Sequence, residues 1–229
     1  MTRTDTAYET LVFDLDRTLV VHDQSTADVF EAACARCGVE PFCDTDALEL
    51  TSRLVANGST ELDAAAFDRR LFATAATAAG ATIDPTELAS AYDDVLDESA
   101  VSLRPGARTA LALAEEYETA LVTNGPERTH ATKLAAAGIR DRFDVIVFGS
   151  DVSRVKPAPD PIERALGRLG SDPARALKIG DSLEKDVAGA NAAGVDSVWI
   201  PFADRSRTTA DPEPSYTLST LAELPALLE

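Results

Sequence analysis

The stretch that decides the fold is Leu11–Val20, LVFDLDRTLV, in which an apolar run leads into two aspartates, Asp14 and Asp16. The run is rich in Val, Leu and Phe, as buried parallel strands are. Burying an unpaired carboxylate is costly, and burying two of like charge costs more. The pair therefore predicts a compensating cation, or a reaction that uses both acids.

Four further apolar runs repeat this pattern, at residues 119–125, 144–150, 176–182 and 196–202, with helix-like segments between them. Such alternation predicts βαβ units and an α/β fold, a Rossmann-like, doubly wound parallel sheet that binds ligands at the carboxyl ends of its strands. Asp160 and Pro161 are expected to be the N-cap and first residue of one helix. A short closing strand and a last helix are expected after the loop at 208–216.

Residues 21–100 do not alternate in this way. They show helical periodicity with few strand signals, and they are too numerous for a simple connection. We therefore predict two domains: an α/β core formed by residues 1–20 and 101–229, and a small α-helical domain inserted at residues 21–100.

The charge balance excludes some classes of partner. Lys and Arg number 21 against 39 Asp and Glu, a formal charge of −18 that repels nucleic-acid backbones and acidic membranes. No apolar stretch reaches the roughly 18 residues of a membrane span, and no apolar signal-peptide core is present, so the cytoplasm is the expected compartment. The scarcity of Lys beside Arg resembles proteins of salt-accumulating haloarchaea, with an ordinary acidic protein as the alternative.

The three cysteines, Cys34, Cys37 and Cys43, lie close together in the sequence. An odd number in a protein expected to be cytoplasmic argues against disulfides, and a structural zinc site would want a fourth ligand. We expect buried or partly buried thiols.

Polar residues also follow the second and third predicted strands. Thr123, Asn124 and Gly125 offer a hydroxyl and backbone N–H groups that can hold an anion, although a plain turn is the alternative. Lys156 follows the third strand and suits a point charge on an anion or carboxylate, with an ordinary surface lysine as the alternative.

The fourth predicted strand ends at Asp181, and Asp186 follows in the next helix. Carboxylate oxygens at this place suit Mg²⁺, although an N-cap role for Asp181 or Ser182 is the alternative. Because the carboxyl ends of parallel strands share one edge of a sheet, these acids are expected to lie in one crevice with Asp14 and Asp16.

The order of the segments DLDRT, TNG, KP and GDSLEKD resembles the haloacid dehalogenase superfamily of hydrolases, over nearly the whole chain. The resemblance implies an HAD-like core with a helical cap, and a Mg²⁺-dependent phosphatase that hydrolyses a small phosphate monoester through an aspartyl phosphate. Asp14 would be the nucleophile, and Asp16 the general acid and then the base. Many relatives have Gly at the position of Arg17, so the turn here must form without glycine.

The remaining roles are also what the resemblance implies. Mg²⁺ would be held by Asp14, the backbone carbonyl of Asp16, and Asp181, with Asp186 ordering its waters or Lys156. The transferring phosphoryl group would be bound by Thr123, Asn124, Gly125 and Lys156, of which Thr123 and Lys156 also serve the chemistry. The expected partner is a small phosphorylated metabolite, bound by a monomer or homodimer.

Single residues argue for or against other activities within the superfamily. Asp16 favours phosphoryl transfer over dehalogenation, because an alkoxide leaving group needs a proton and a halide does not. A phosphonate hydrolase of this superfamily would be expected to use a lysine of the cap, but residues 21–103 contain no lysine. A phosphosugar mutase and a non-catalytic binding relative stay open, as does the identity of the substrate.

Overall fold

The computed structural model describes residues 7–58, 64–202, 207–208 and 210–228. The chain divides into two compact units. The core unit contains Met1–Val21 and Val101–Glu229, and the helical unit contains His22–Ala100.

The strands are β1 (Thr10–Phe13), β2 (Val20–His22), β3 (Val101–Leu103), β4 (Glu118–Val122), β5 (Val145–Val147), β6 (Ala176–Gly180), β7 (Asp196–Trp199) and β8 (Tyr216–Thr217). The helices are α1 (Thr26–Arg36), α2 (Thr45–Gly58), α3 (Ala64–Ala79), α4 (Pro85–Val95), α5 (Ala107–Leu113), α6 (Glu127–Ala136), α7 (Asp160–Leu169), α8 (Ala188–Ala193) and α9 (Leu224–Leu228).

The core unit is built on a six-stranded sheet with the order β5-β4-β1-β6-β7-β8. All neighbouring strands are parallel, and β1 lies between β4 and β6 with all four residues buried. The predicted doubly wound parallel sheet is thus confirmed, and its first strand is central. This position explains why the run before Asp14 is uniformly apolar.

The two faces of β1 pack into different clusters, because successive side chains of a strand point to opposite faces. Leu11 and Phe13 join a cluster that includes residues of α5, α6 and α9. Val12 joins a second cluster, with Ile162 of α7 and Ala190 of α8. Both faces of the sheet are therefore covered, as the βαβ pattern predicts.

The expected N-cap of α7 is wrong by one residue. Asp160 is the first residue of α7 rather than its N-cap, because Pro159 already has helical dihedrals (φ −69, ψ −20) and takes the capping position. The helix predicted after Asp181 is present and contains Asp186: it starts as a wide π-type turn over Leu183–Val187, and α8 follows it. In this turn the Asp186 side chain accepts a hydrogen bond from the Ser182 N–H.

The helical unit contains α1 to α4 around its own apolar core. Phe72 stacks on Phe30 with 6.0 Å between ring centroids, and Cys34 is buried in the same cluster. The three cysteines are free thiols, as predicted, and burial raises the pKa of Cys34 to about 11.

The ends of the inserted segment carry features that the sequence did not indicate. Its first and last residues adjoin β2 and β3, which form a two-stranded sheet. His22 is half-buried, and its Nε2 lies 3.6 Å from Glu98 Oε2. Among the described helices, none combines the length and apolarity that crossing a membrane requires.

Candidate active site

Asp14 is the first residue beyond β1, and its side chain is nearly buried. Its backbone N–H still donates to Ile179 O of β6 (3.0 Å), which fixes the residue at the edge of the sheet. Its Oδ2 accepts a hydrogen bond from Thr18 Oγ1 (3.3 Å), and its Oδ1 lies 2.6 Å from Lys156 Nζ. The strand end thus presents a carboxylate that is already paired with a cation.

The ammonium group of Lys156 is fully engaged with protein oxygens. It donates to Asp14 Oδ1 (2.6 Å), Asp186 Oδ1 (2.7 Å) and Val122 O (2.9 Å), and an ammonium has three hydrogens to give. Burial alone would lower the pKa of Lys156, but the two carboxylates outweigh burial and raise it. Lys156 therefore neutralises the acids of this edge in the structure.

Asn124 holds the loop that carries Lys156. Its Nδ2 donates to Lys156 O (2.8 Å), and its Oδ1 accepts from the Lys156 N–H (3.0 Å). Gly125 lies against the His130 ring, which a Cβ at this position would overlap. The sequence suggested Asn124 and Gly125 as phosphate ligands. In the structure Asn124 hydrogen-bonds the backbone of Lys156, and Gly125 leaves room for the His130 ring.

Asp14, Asp181 and Asp186 each offer a carboxylate oxygen, and these oxygens all lie within 4.8 Å of one another. Hard oxygen donors at this spacing fit Mg²⁺. Oδ1 of Asp186 already accepts from Lys156 and from Lys178 (3.0 Å), so Asp14 and Asp181 have more capacity left for a metal.

Burial and neighbouring charges shift the pKa values of Asp181 and Asp186 in opposite directions. Burial disfavours the ionised form of Asp186, but the Lys156 and Lys178 ammonium groups outweigh burial and lower its pKa. Burial, with repulsion from Asp14 and Asp186, raises the pKa of Asp181 to about 7. Metal-free Asp181 is therefore poised to hold a proton near neutrality.

This shift predicts a pH dependence of stability. Because the unfolded Asp181 has a pKa near 3.8, the folded protein retains a proton there that the unfolded chain releases. The resulting stability is present below about pH 4 and is lost as pH rises through about 7. Asp181→Asn removes this loss, so in EDTA its melting temperature relative to the native protein should rise between pH 5 and pH 8.

Thermal denaturation of both proteins at four pH values in this range checks the prediction. The lowered pKa of Asp186 gives a pH dependence of stability with the opposite sign, because stability is lost when Asp186 becomes protonated. That loss occurs below about pH 4, outside the range of this experiment. Asp141→Asn, at an exposed position of the core unit, is the matched control. A melting difference between Asp181→Asn and the native protein that stays constant with pH would contradict the prediction.

Lys178 is a site residue that the sequence analysis missed. It lies in β6 and is completely buried, with its Nζ 3.0 Å from Asp186 Oδ1. Burial lowers its pKa. A lysine in the middle of the apolar run ALKIG was the signal that could have identified it.

Two further missed residues lie on α6 and contact Asp16. Lys133 Nζ lies 2.9 Å from Asp16 Oδ1, and His130 Nε2 lies 3.1 Å from Asp16 Oδ2. The other ring nitrogen of His130 is 2.9 Å from Thr123 Oγ1, so His130 bridges Thr123 and Asp16. Their spacing of three residues on the helix that follows TNG places both on one face, a signal present in the sequence.

The structure thus brings the predicted site residues together in two connected groups. Asp14, Lys156, Asp181 and Asp186 form the charged cluster. Asp16 and Thr123 are joined through His130, and the Asp16 carboxylate pairs with α6. The Val122 carbonyl, one residue before Thr123, accepts from Lys156 and so links the groups.

Comparison with known proteins agrees with this architecture. A profile of the family described as haloacid dehalogenase-like hydrolase matches residues 11–200. The N-acylneuraminate-9-phosphatase of Mus musculus is 37% identical over 118 residues, which cover 51% of this chain and 48% of that protein. The chain thus matches about half the length of that relative.

Two other comparisons extend over almost the whole chain. The phosphoglycolate phosphatase of Yersinia pseudotuberculosis is 30% identical and covers 93% of this chain and 90% of its own length. A crystal structure of the HAD-hydrolase YfnB from Bacillus subtilis bound to magnesium superimposes with a TM-score of 0.79 at 23% identity, covering 97% of this chain and 99% of that one. This chain belongs to the haloacid dehalogenase-like hydrolase family.

Proposed function

We propose that this protein is a Mg²⁺-dependent phosphatase that hydrolyses a small phosphate monoester through an aspartyl phosphate on Asp14. The observation that carries the proposal is the Asp14 carboxylate at the end of the central strand, paired with buried Lys156 and adjacent to Asp181 and Asp186. The proposed nucleophile, its buried counterion and a candidate metal site would thus share one edge of the sheet.

The proposed reaction proceeds in two displacements. An Asp14 oxygen attacks phosphorus, the bond from phosphorus to the ester oxygen breaks, and Asp16 gives that oxygen a proton. Asp16 then takes a proton from the water that attacks the aspartyl phosphate, which releases phosphate and restores Asp14. Thr123, held by His130, is proposed to donate to a phosphoryl oxygen.

Asp14, Asp181 and the Asp16 carbonyl are the proposed ligands of Mg²⁺, with Asp186 acting through Lys156 and Lys178 rather than by a direct bond. Bound there, the metal supplies positive charge that offsets the negative charge of the phosphoryl group and of Asp14. Lys156 Nζ, 2.6 Å from Asp14 Oδ1, supplies a further positive charge beside the proposed nucleophile.

The substrate class is a small phosphorylated metabolite. The relatives above are named for N-acylneuraminate 9-phosphate and phosphoglycolate, and only the shared class, a phosphate monoester, is carried over to this chain. Adaptation to high salt stays a prediction from composition, so the assays should compare high and low salt.

The direct test is hydrolysis of p-nitrophenyl phosphate with Mg²⁺, followed by phosphate release from a panel of phosphorylated metabolites. We expect Mg²⁺-dependent turnover that EDTA abolishes and that added Mg²⁺ restores. Turnover that is unchanged in EDTA would contradict the metal's role, and absence of phosphate release from every ester would contradict the proposed activity.

A further inference from the structure

The turn that follows β1 holds Arg17 in a left-handed conformation. With φ at 60, Arg17 is the sole non-glycine residue of positive φ within the described ranges. This conformation costs a side-chain-bearing residue about 1–2 kcal/mol and costs glycine almost nothing. A side chain kept at such a position suggests that the side chain itself has a use.

Hydrogen bonds hold the turn, and they come from the backbone of Arg17 rather than from its guanidinium. Its N–H donates to Val20 O (2.8 Å), and its carbonyl accepts from Arg104 (2.7 Å). The side chain of Arg17 is exposed. The hydrogen bonds that hold this conformation therefore do not involve the charged group.

The guanidinium of Arg17 lies near the aromatic ring of Phe202, with 5.5 Å between Cζ and the ring centroid. An aromatic ring attracts the face of a guanidinium and leaves its in-plane N–H groups able to bind an anion. In the part of the chain that the structure describes, no carboxylate lies within ion-pair distance of Arg17. The ring thus orients a cation whose donors remain available.

Arg104 is the matched contrast, because its Cζ lies 5.6 Å from the centroid of the same ring. Its guanidinium donates to the carbonyls of Arg17, Ile200 (3.1 Å) and Pro201 (2.6 Å). Arg104 is therefore committed to backbone oxygens, whereas Arg17 is not.

Arg17 lies in the turn that carries the two aspartates of the opening motif. Arg17 follows Asp14 by three residues and directly follows Asp16. In the proposed reaction Asp16 protonates the ester oxygen, so the leaving group would lie near the turn that contains Asp16 and Arg17. On a chain with a formal charge of −18, a second acidic group would be repelled without a local cation.

We propose that Arg17 binds a second anionic group, a carboxylate or a phosphate, on the leaving part of the substrate. The proposal rests on the proposed phosphatase function and narrows its substrate class. The preferred substrates are small phosphate monoesters that carry a second acidic group, and Arg17 determines that preference.

Matched probes test this. Phosphoglycolate is compared with ethyl phosphate, and propane-1,3-diol bisphosphate with propyl phosphate, so that each pair differs in the second anion. In Arg17→Gln we expect KM for the two acidic probes to rise about 10-fold or more with kcat nearly unchanged, because the contact is made equally before and during reaction. The values for ethyl and propyl phosphate should change by less than about twofold.

The remaining variants and outcomes separate recognition from structure. Arg17→Lys keeps the charge and should recover part of the KM loss, while Arg140→Gln, an exposed arginine of the core unit, should change nothing. A rise in KM of Arg17→Gln for only one of the two acidic probes would show whether Arg17 recognises a carboxylate or a phosphate. An equal change in KM for all four probes, or no change for any, would overturn the proposal.

Calorimetric binding keeps the proposal distinct from the phosphatase function. Native protein should bind phosphoglycolate about 10-fold more tightly than ethyl phosphate, and Arg17→Gln should abolish that difference. If this preference is found but no ester is hydrolysed, the phosphatase proposal fails and the Arg17 proposal stands. If p-nitrophenyl phosphate is hydrolysed but native protein shows no preference, the Arg17 proposal fails alone.

Discussion

Asp14→Asn is expected to lower the rate of phosphate ester hydrolysis by at least ~1,000-fold while the protein remains folded. The amide keeps the shape of the carboxylate and can still accept from Lys156 Nζ, which lies 2.6 Å from Oδ1 in the native structure. It is not a nucleophile toward phosphorus, so no aspartyl phosphate can form. Steady-state hydrolysis of p-nitrophenyl phosphate at saturating Mg²⁺ measures the effect.

The fold of this variant can be checked independently. Removing the charge of Asp14 also removes one source of the repulsion that raises the pKa of Asp181, so the metal-free protein should not be destabilised through that acid. Asp141→Asn controls for the loss of an acid from the core unit and should retain native activity. Hydrolysis by Asp14→Asn at the native rate would remove Asp14 from the reaction.

Lys156→Met is expected to lower the free energy of unfolding by about 3–5 kcal/mol, because it leaves buried carboxylates without their counterion. The native ammonium contacts Asp14 and Asp186, and it is almost completely buried. Urea denaturation at neutral pH, without divalent ions, measures the loss.

Lys178→Met is the matched comparison, since Lys178 is also buried and contacts the same oxygen of Asp186. Its loss leaves Asp186 paired with Lys156, and the relief of its own burial offsets part of the lost contact. We therefore expect a cost of only about 1 kcal/mol. Equal costs for the two variants would show that the structure assigns the wrong lysine as the main counterion.

Local signals were sufficient to predict the sheet. Each apolar run ended at a residue that terminates strands, and glycines such as Gly170 and Gly194 take the left-handed caps that end α7 and α8. Strands β2 and β3 escaped prediction because three residues each are too few to show a period against the helical pattern beside them.

Site residues that directly follow a strand could be predicted from the sequence. Site residues that act by contacting a side chain from a distant element could not. Asp14 and Asp181 stand directly after strands, so topology alone brings them together. The contacts of Asp16 with His130 and Lys133 join residues more than 100 positions apart, and no local pattern specifies such a pairing. Lys178 interrupts an apolar run, which marks it as unusual, but the run does not indicate which acid the lysine contacts.

The central position of β1 in the sheet has a consequence for folding during translation. Its neighbours are Glu118–Val122 on one side and Ala176–Gly180 on the other, so this apolar segment gains its first hydrogen-bonded strand only when roughly 100 further residues have been made. At about 5–20 residues per second, the nascent chain must keep Leu11, Val12 and Phe13 from wrong contacts for about 5–20 seconds.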